Sequence, residues 1–192
     1  MPYKTPKIPV FDSLIGIEKL IQDLQIIISE LDWLDYSFGL AKAVNIGIED
    51  EDMAPVVYTG VTSDSMDVRP WPDDAYKSYS FWLLTEADEF MYYDNVNAHR
   101  RFPKIQQPVA LIVCLDNSKI SANQDFNITH CLCREELVDK LNTKNMSKGI
   151  FQIASVLQNT PAVFDGFDVT ELREPYSWLR VEGLITYTKD CT

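Results

Sequence analysis

The stretch Val109-Ala110-Leu111-Ile112-Val113-Cys114-Leu115 is apolar at every position. Successive side chains of a strand point to opposite faces, so such a run needs cover on both sides. It falls well short of the roughly 20 apolar residues that span a bilayer. The run therefore predicts a central strand of a sheet, and the rest of the chain must supply its cover. A chain of 192 residues, 46 % of them hydrophobic, can do so within one domain. Charged residues make up 24 %, near the globular average, which argues against wholesale disorder.

Part of that cover is legible upstream. Leu14, Ile17, Ile21, Leu24, Ile28 and Leu31 recur at spacings of three and four, and Leu20 and Ile27 widen the stripe. The spacing predicts an amphipathic helix from about Asp12 to Asp32 that packs on the sheet. Asp12 or Ser13 would cap its start. Residues 1–11 hold three prolines and read as an extended arm, with residues 12–192 forming a single domain.

After Ser37 the pattern turns to short strands: Phe38 to Ile46, Val56 to Thr59, Tyr79 to Leu84, and the central run. Phe126 to Cys133 is also strand-like, and a helix follows from Arg134 to Asn142 with Leu137, Val138 and Leu141 as its buried edge. Ile150 to Leu157 is expected as a strand. In Trp178 to Tyr187, Leu179, Val181, Ile185 and Tyr187 share one face, while Arg180, Glu182 and Thr186 share the other. That is the alternation of a half-buried antiparallel strand. The fold class expected is α+β: a mostly antiparallel or mixed sheet of about five to seven strands. An N-terminal amphipathic helix and a second helix would pack on one face.

The net charge of −12 repels phosphate backbones and anionic lipid, and His99-Arg100-Arg101 is too small for a nucleic-acid footprint. The opening MPYKTPKIPVF lacks the apolar stretch of a signal peptide. With that expectation of an intracellular setting, Cys114, Cys131, Cys133 and Cys191 read as reduced thiols. The sequon Asn127-Ile128-Thr129 then reads as a chance match.

Chemical motifs are sparse. The only histidines are His99 and His130. On the strand expected there, His130 and Cys131 diverge to opposite faces, and Cys131 and Cys133 share one. Neither a Cys–His nucleophile nor a zinc site with its second ligand pair takes shape from that spacing. The dispersed glycines form no phosphate-binding loop, and no EF-hand pattern occurs. No catalytic residue, metal or cofactor is expected. Two features stand out as surfaces. Trp71, Tyr76, Tyr92, Tyr93 and Phe102 lie in an aromatic-rich stretch suited to an interface. Glu49, Asp50, Glu51 and Asp52 form a solvated acidic loop.

The order of segments resembles a known family. After the N-terminal helix come Pro72-Asp73-Asp74-Ala75-Tyr76-Lys77-Ser78-Tyr79-Ser80-Phe81-Trp82 and Glu86-Ala87-Asp88-Glu89. The apolar strand then runs into Asp116-Asn117-Ser118-Lys119-Ile120, and Pro175-Tyr176-Ser177-Trp178-Leu179-Arg180-Val181 opens the last strand. Over residues 12–190 this is similar to the tail-terminator and neck (head–tail connector) proteins of tailed bacteriophages, although the 86–108 loop is longer than in the simpler members. The resemblance implies a virion subunit without catalytic residues, assembled in the host cytoplasm. Its copies would close into a homo-oligomeric ring bound to neighbouring neck or tail proteins. DNA would pass through as cargo without specific binding, and no membrane would be involved. Glu49 to Asp52 would then line the channel, where carboxylates within about 8 Å repel the duplex. The other classes considered are a non-catalytic adaptor in an intracellular complex and a small enzyme with an unrecognised site.

Overall fold

The computed structural model describes residue 8 and residues 15–45, 53–57, 76–86, 89–91, 104–120, 126–146, 151–165 and 175–188. The elements are α1 (Gly16–Ile28), β1 (Tyr36–Asn45), β2 (Met53–Val57), β3 (Ser78–Leu84), β4 (Glu89–Met91) and β5 (Lys104–Asp116). After them come α2 (Asn117–Ile120), α3 (Phe126–Met146), β6 (Phe151–Gln158), a 3₁₀ turn (Pro161–Phe164) and β7 (Tyr176–Thr188). The strands form one mixed sheet in the order β2-β1-β3-β5-β7-β6, with β4 beside β5. Every pairing is antiparallel except that of β1 with β3. The α+β class expected from the sequence is the class observed.

The apolar run occupies β5, which pairs along its whole length with β7. Val109, Leu111, Val113 and Leu115 enter one core, with α1 and α3. Ala110, Ile112 and Cys114 enter a second core on the opposite face. Both faces are covered, as the unbroken run requires. Full burial of each large aliphatic side chain contributes about 1.5–3 kcal/mol.

Pairing beside β5 is interrupted between Leu84 and Glu89. The break falls at Pro108, which has no N–H to give to a ladder. The Gln107 side-chain amide bridges the gap by donating to the Glu86 carbonyl at 2.7 Å, and Thr85 N–H donates to the Pro108 carbonyl. Opposite Val109, Gly183 lets the chain lie under the Phe151 ring. A Cβ there would sit 2.5 Å from a Phe151 ring carbon and 2.3 Å from the Gln152 carbonyl oxygen. Phe151 in turn meets Trp82 edge-on at 5.5 Å.

Helix α1 buries Ile21, Leu24, Ile27 and Ile28, as its stripe predicts, but it is shorter than the stripe. Ile15, not Asp12 or Ser13, stands at its N-cap, with no side-chain cap. Gly16 has φ of +59°, a left-handed conformation that glycine adopts freely. Leu31 and Leu34 stay in the same core beyond the helix.

Three expectations change. Phe126 to Cys133 is the first part of α3 and not a strand. Thr129, His130, Cys133, Leu137 and Leu141 are its buried side, at helical spacing. The polar pair that begins this stripe hides it from a hydropathy reading. Cys131 and Cys133 consequently do not share a face: Cys131 is exposed and Cys133 buried. Finally, the even-numbered face of β7 is not left to solvent. The 3₁₀ turn covers it, so Trp178 and Arg180 are both buried. Val163 and Phe164 of that turn join the second core, and Phe164 packs against Trp178 at 5.0 Å.

Candidate functional site at the open face and the sheet edges

Of the aromatic residues singled out as an interface, Tyr76 is described. It is half-buried and packs with Tyr36 at 5.7 Å and with Phe38 and Tyr79 at 6.3 Å, as part of the second core. Burial and the neighbouring Tyr76 push the Tyr36 phenol above its ordinary value. Trp71, Tyr92, Tyr93 and Phe102 lie outside the described residues, as do Glu49, Asp50, Glu51 and Asp52.

His130 sits at one end of the sheet against β7. Its Nδ1 is 3.0 Å from the Ser177 hydroxyl, which also accepts from the Asn117 side-chain amide at 2.9 Å. The same amide donates to the Pro175 carbonyl at 2.9 Å. Asp116 closes this corner. It accepts from Ser118 Oγ at 2.6 Å and from the Ser118 and Lys119 backbone N–H groups, and pairs with the Lys119 ammonium at 3.1 Å. Burial pushes the Asp116 carboxyl up, but the bonds from Ser118 and Lys119 outweigh it and hold the group below its usual range. Burial also holds His130 low, against the pull of Gln158 and with help from Arg134. A serine beside a histidine is the contact that a hydrolase uses, yet Ser177 is 0 % exposed and His130 3 %. No substrate reaches that hydroxyl. The cluster fastens α3 and the β5–α2 corner onto β7. The sequence gives no warning of it, because its members stand 47 and 60 residues apart.

The thiols are quiet. Burial pushes Cys114 and Cys133 up to about 12, which leaves both protonated and poorly nucleophilic at neutral pH. Among the described residues no group of three His, Cys, Asp or Glu side chains comes together that could hold a metal ion.

The open face carries a groove of about 1050 Å³ across the sheet from Lys42 to Ala154. Arg180 and Glu182 lie in its lining. The Arg180 Nε donates to Glu182 at 2.9 Å, and its Nη1 donates to the Asp165 carbonyl at 3.0 Å and to that of Val163 at 3.4 Å. Ser155 donates to the second oxygen of Glu182 at 2.8 Å. A buried guanidinium needs such partners. Here they use up its donors and lock β6, β7 and the 3₁₀ turn together.

The sheet ends in two unlike strands. Among the described residues β2 pairs only with β1, and β6 only with β7. Strand β6, Phe-Gln-Ile-Ala-Ser-Val-Leu-Gln, has no charge and no proline. Its one irregularity is a bulge at Ala154, between Ile153 and Ser155. Edge strands without lysine or proline are open templates for a further strand. Strand β2 is Met-Ala-Pro-Val-Val, whose Pro55 offers no N–H.

The sequence matches no known protein family and no curated protein. No helix among the described residues is long and apolar enough to cross a membrane.

Proposed function

We propose that this chain is a structural subunit that assembles head to tail into a ring, of the kind found at the neck or tail end of tailed phages. One observation carries the reading: the sheet is open at both ends, and its two edge strands differ. A closed ring needs two different patches on each subunit, one fitting the other, and unlike strand edges supply them. The class of virion and the position in the neck rest on the resemblance of segment order over residues 12–190. The function is carried by surfaces, with neighbouring copies and neck or tail proteins as partners.

Sedimentation and negative-stain imaging of the full-length protein test this reading. Closed rings with a central opening large enough for a DNA duplex are expected. A chain that remains monomeric over the whole accessible concentration range contradicts it.

A second reading has its own observation. The open-face groove, with Lys42, Glu86 and Leu84 at one end and Leu184 and Ala154 at the other, would suit an adaptor that holds one partner segment. That reading predicts a fixed one-to-one complex and no ring.

A further inference from the structure

The register of the sheet relates its two edges to each other. Lys42 of β1 is level with Val56 of β2. Two residues earlier on β1, Leu40 pairs with Trp82 of the parallel β3, so Lys42 is level with Leu84. Leu84 pairs with Val109, Val109 with Gly183, and Gly183 with Ile153 of β6. Val56 and Ile153 therefore share one row across the sheet. Counting back along each strand, β2 begins at Met53 and β6 at Phe151, within a residue of the same level.

The directions agree as well. Strand β1 runs antiparallel to β2 and parallel to β3, while β3, β5, β7 and β6 alternate. Strands β2 and β6 thus run the same way and start at the same end of the sheet. If a copy of the subunit is placed beside the first in the same orientation, as in a ring whose axis lies along the strands, β6 meets the neighbour's β2 in parallel and in step.

The flanking sequences then meet, and they carry opposite charge. Glu49-Asp50-Glu51-Asp52 immediately precedes β2, and Lys144 and Lys148 closely precede β6. Both flanks are short enough to keep these charges within a Debye length of about 8 Å of the strand starts. Self-pairing of either edge lacks this match. A second β2 would bring Pro55 and another acidic run. Two β6 strands related by a twofold axis would run antiparallel and place their lysine flanks at opposite ends.

We infer that the ring is closed by parallel pairing of β6 with the β2 edge of a second copy. The acidic run Glu49 to Asp52 would be seated against Lys144 and Lys148 of that copy, and not free in the channel. The inference rests on the ring-subunit reading and adds its seam. It gives the acidic run a role in register: backbone pairing along an uncharged edge is tolerant of slippage, and a charge match at one end fixes the step.

The test uses the full chain at low salt, with sedimentation and negative-stain imaging as readouts and far-UV circular dichroism as the folding check. Gln152 and Ala154 are exposed on β6. The double variant Gln152→Lys/Ala154→Lys is expected to fold and to assemble more than about tenfold less readily. Replacing Glu49, Asp50, Glu51 and Asp52 by lysine is expected to weaken assembly, as is Lys144→Glu/Lys148→Glu. Combining the two reversals is expected to restore it. Wild-type rings that persist in the β6 double variant, or reversals that do not rescue each other, overturn the seam and leave the ring-subunit reading standing. A wild-type chain that stays monomeric or stops at a dimer overturns that reading and the seam with it.

Discussion

The middle of the sheet and its two margins obey different rules. Along β5, every residue from Val109 to Leu115 is buried, the side chains divide between two cores, and both sides of the strand are paired over that stretch. Nothing there is left to interact with another molecule. Along β6, the outward backbone has no partner among the described residues, burial is partial after Phe151, and no charge guards the edge. The interior accounts for stability, and the margins are where assembly can be read. A substitution should therefore cost folding or association, but seldom both.

The largest expected effect is in the middle. Leu111 is fully buried in the helix-side core. Leu111→Ala should cost about 3–5 kcal/mol, seen as a lower urea midpoint, because the two-sided packing cannot collapse into the cavity. A loss below about 1 kcal/mol would mean that the centre is not closed on both faces. Gly183→Val should follow, at about 2–3 kcal/mol, by forcing the Phe151 ring off β7. Glu182→Ala should cost about 2 kcal/mol by removing the charged partner of buried Arg180. Its partial exposure keeps the cost below that of a wholly buried pair.

A smaller effect depends on pH. His130 has a lower pKa folded than unfolded. The unfolded chain thus takes up the proton first, and the histidine's contribution is complete above its unfolded value of about 6.5. That contribution is lost as pH falls from there through the folded value. Urea midpoints should drop between neutral and mildly acidic pH, and less so in His130→Asn. Equal drops in both proteins would remove His130 from the account. The smallest effect on stability belongs to the margin: Gln152→Lys/Ala154→Lys should shift the urea midpoint by no more than about 0.5 kcal/mol while it disrupts assembly.

The same division explains what could be read from the sequence. The continuous run of β5 and the alternation of β7 are signals that burial writes into a sequence, and both led to the right elements. The side of β7 that carries Arg180 misled, since an arginine on an alternating strand reads as solvent-facing. Its cover comes from Val163 and Phe164, residues with no periodic signature. In α3 the buried stripe begins with Thr129 and His130, while Ile128 and Leu132 are exposed, so hydropathy runs against the helix there. The three-residue β4 is too short to announce itself. The candidate seam was invisible for another reason. That β2 and β6 run in one direction and start level follows only from pairings between strands far apart in sequence.

The central claim is that β6 and β2 meet across the seam between copies. Amide hydrogen exchange, compared between assembled and dilute protein, tests it most directly. The account predicts that amides of 151–158 and 53–57 slow together on assembly, while those of 109–115 stay equally protected in both states. Rings whose β6 and β2 amides exchange as fast as in the separated subunit would contradict it.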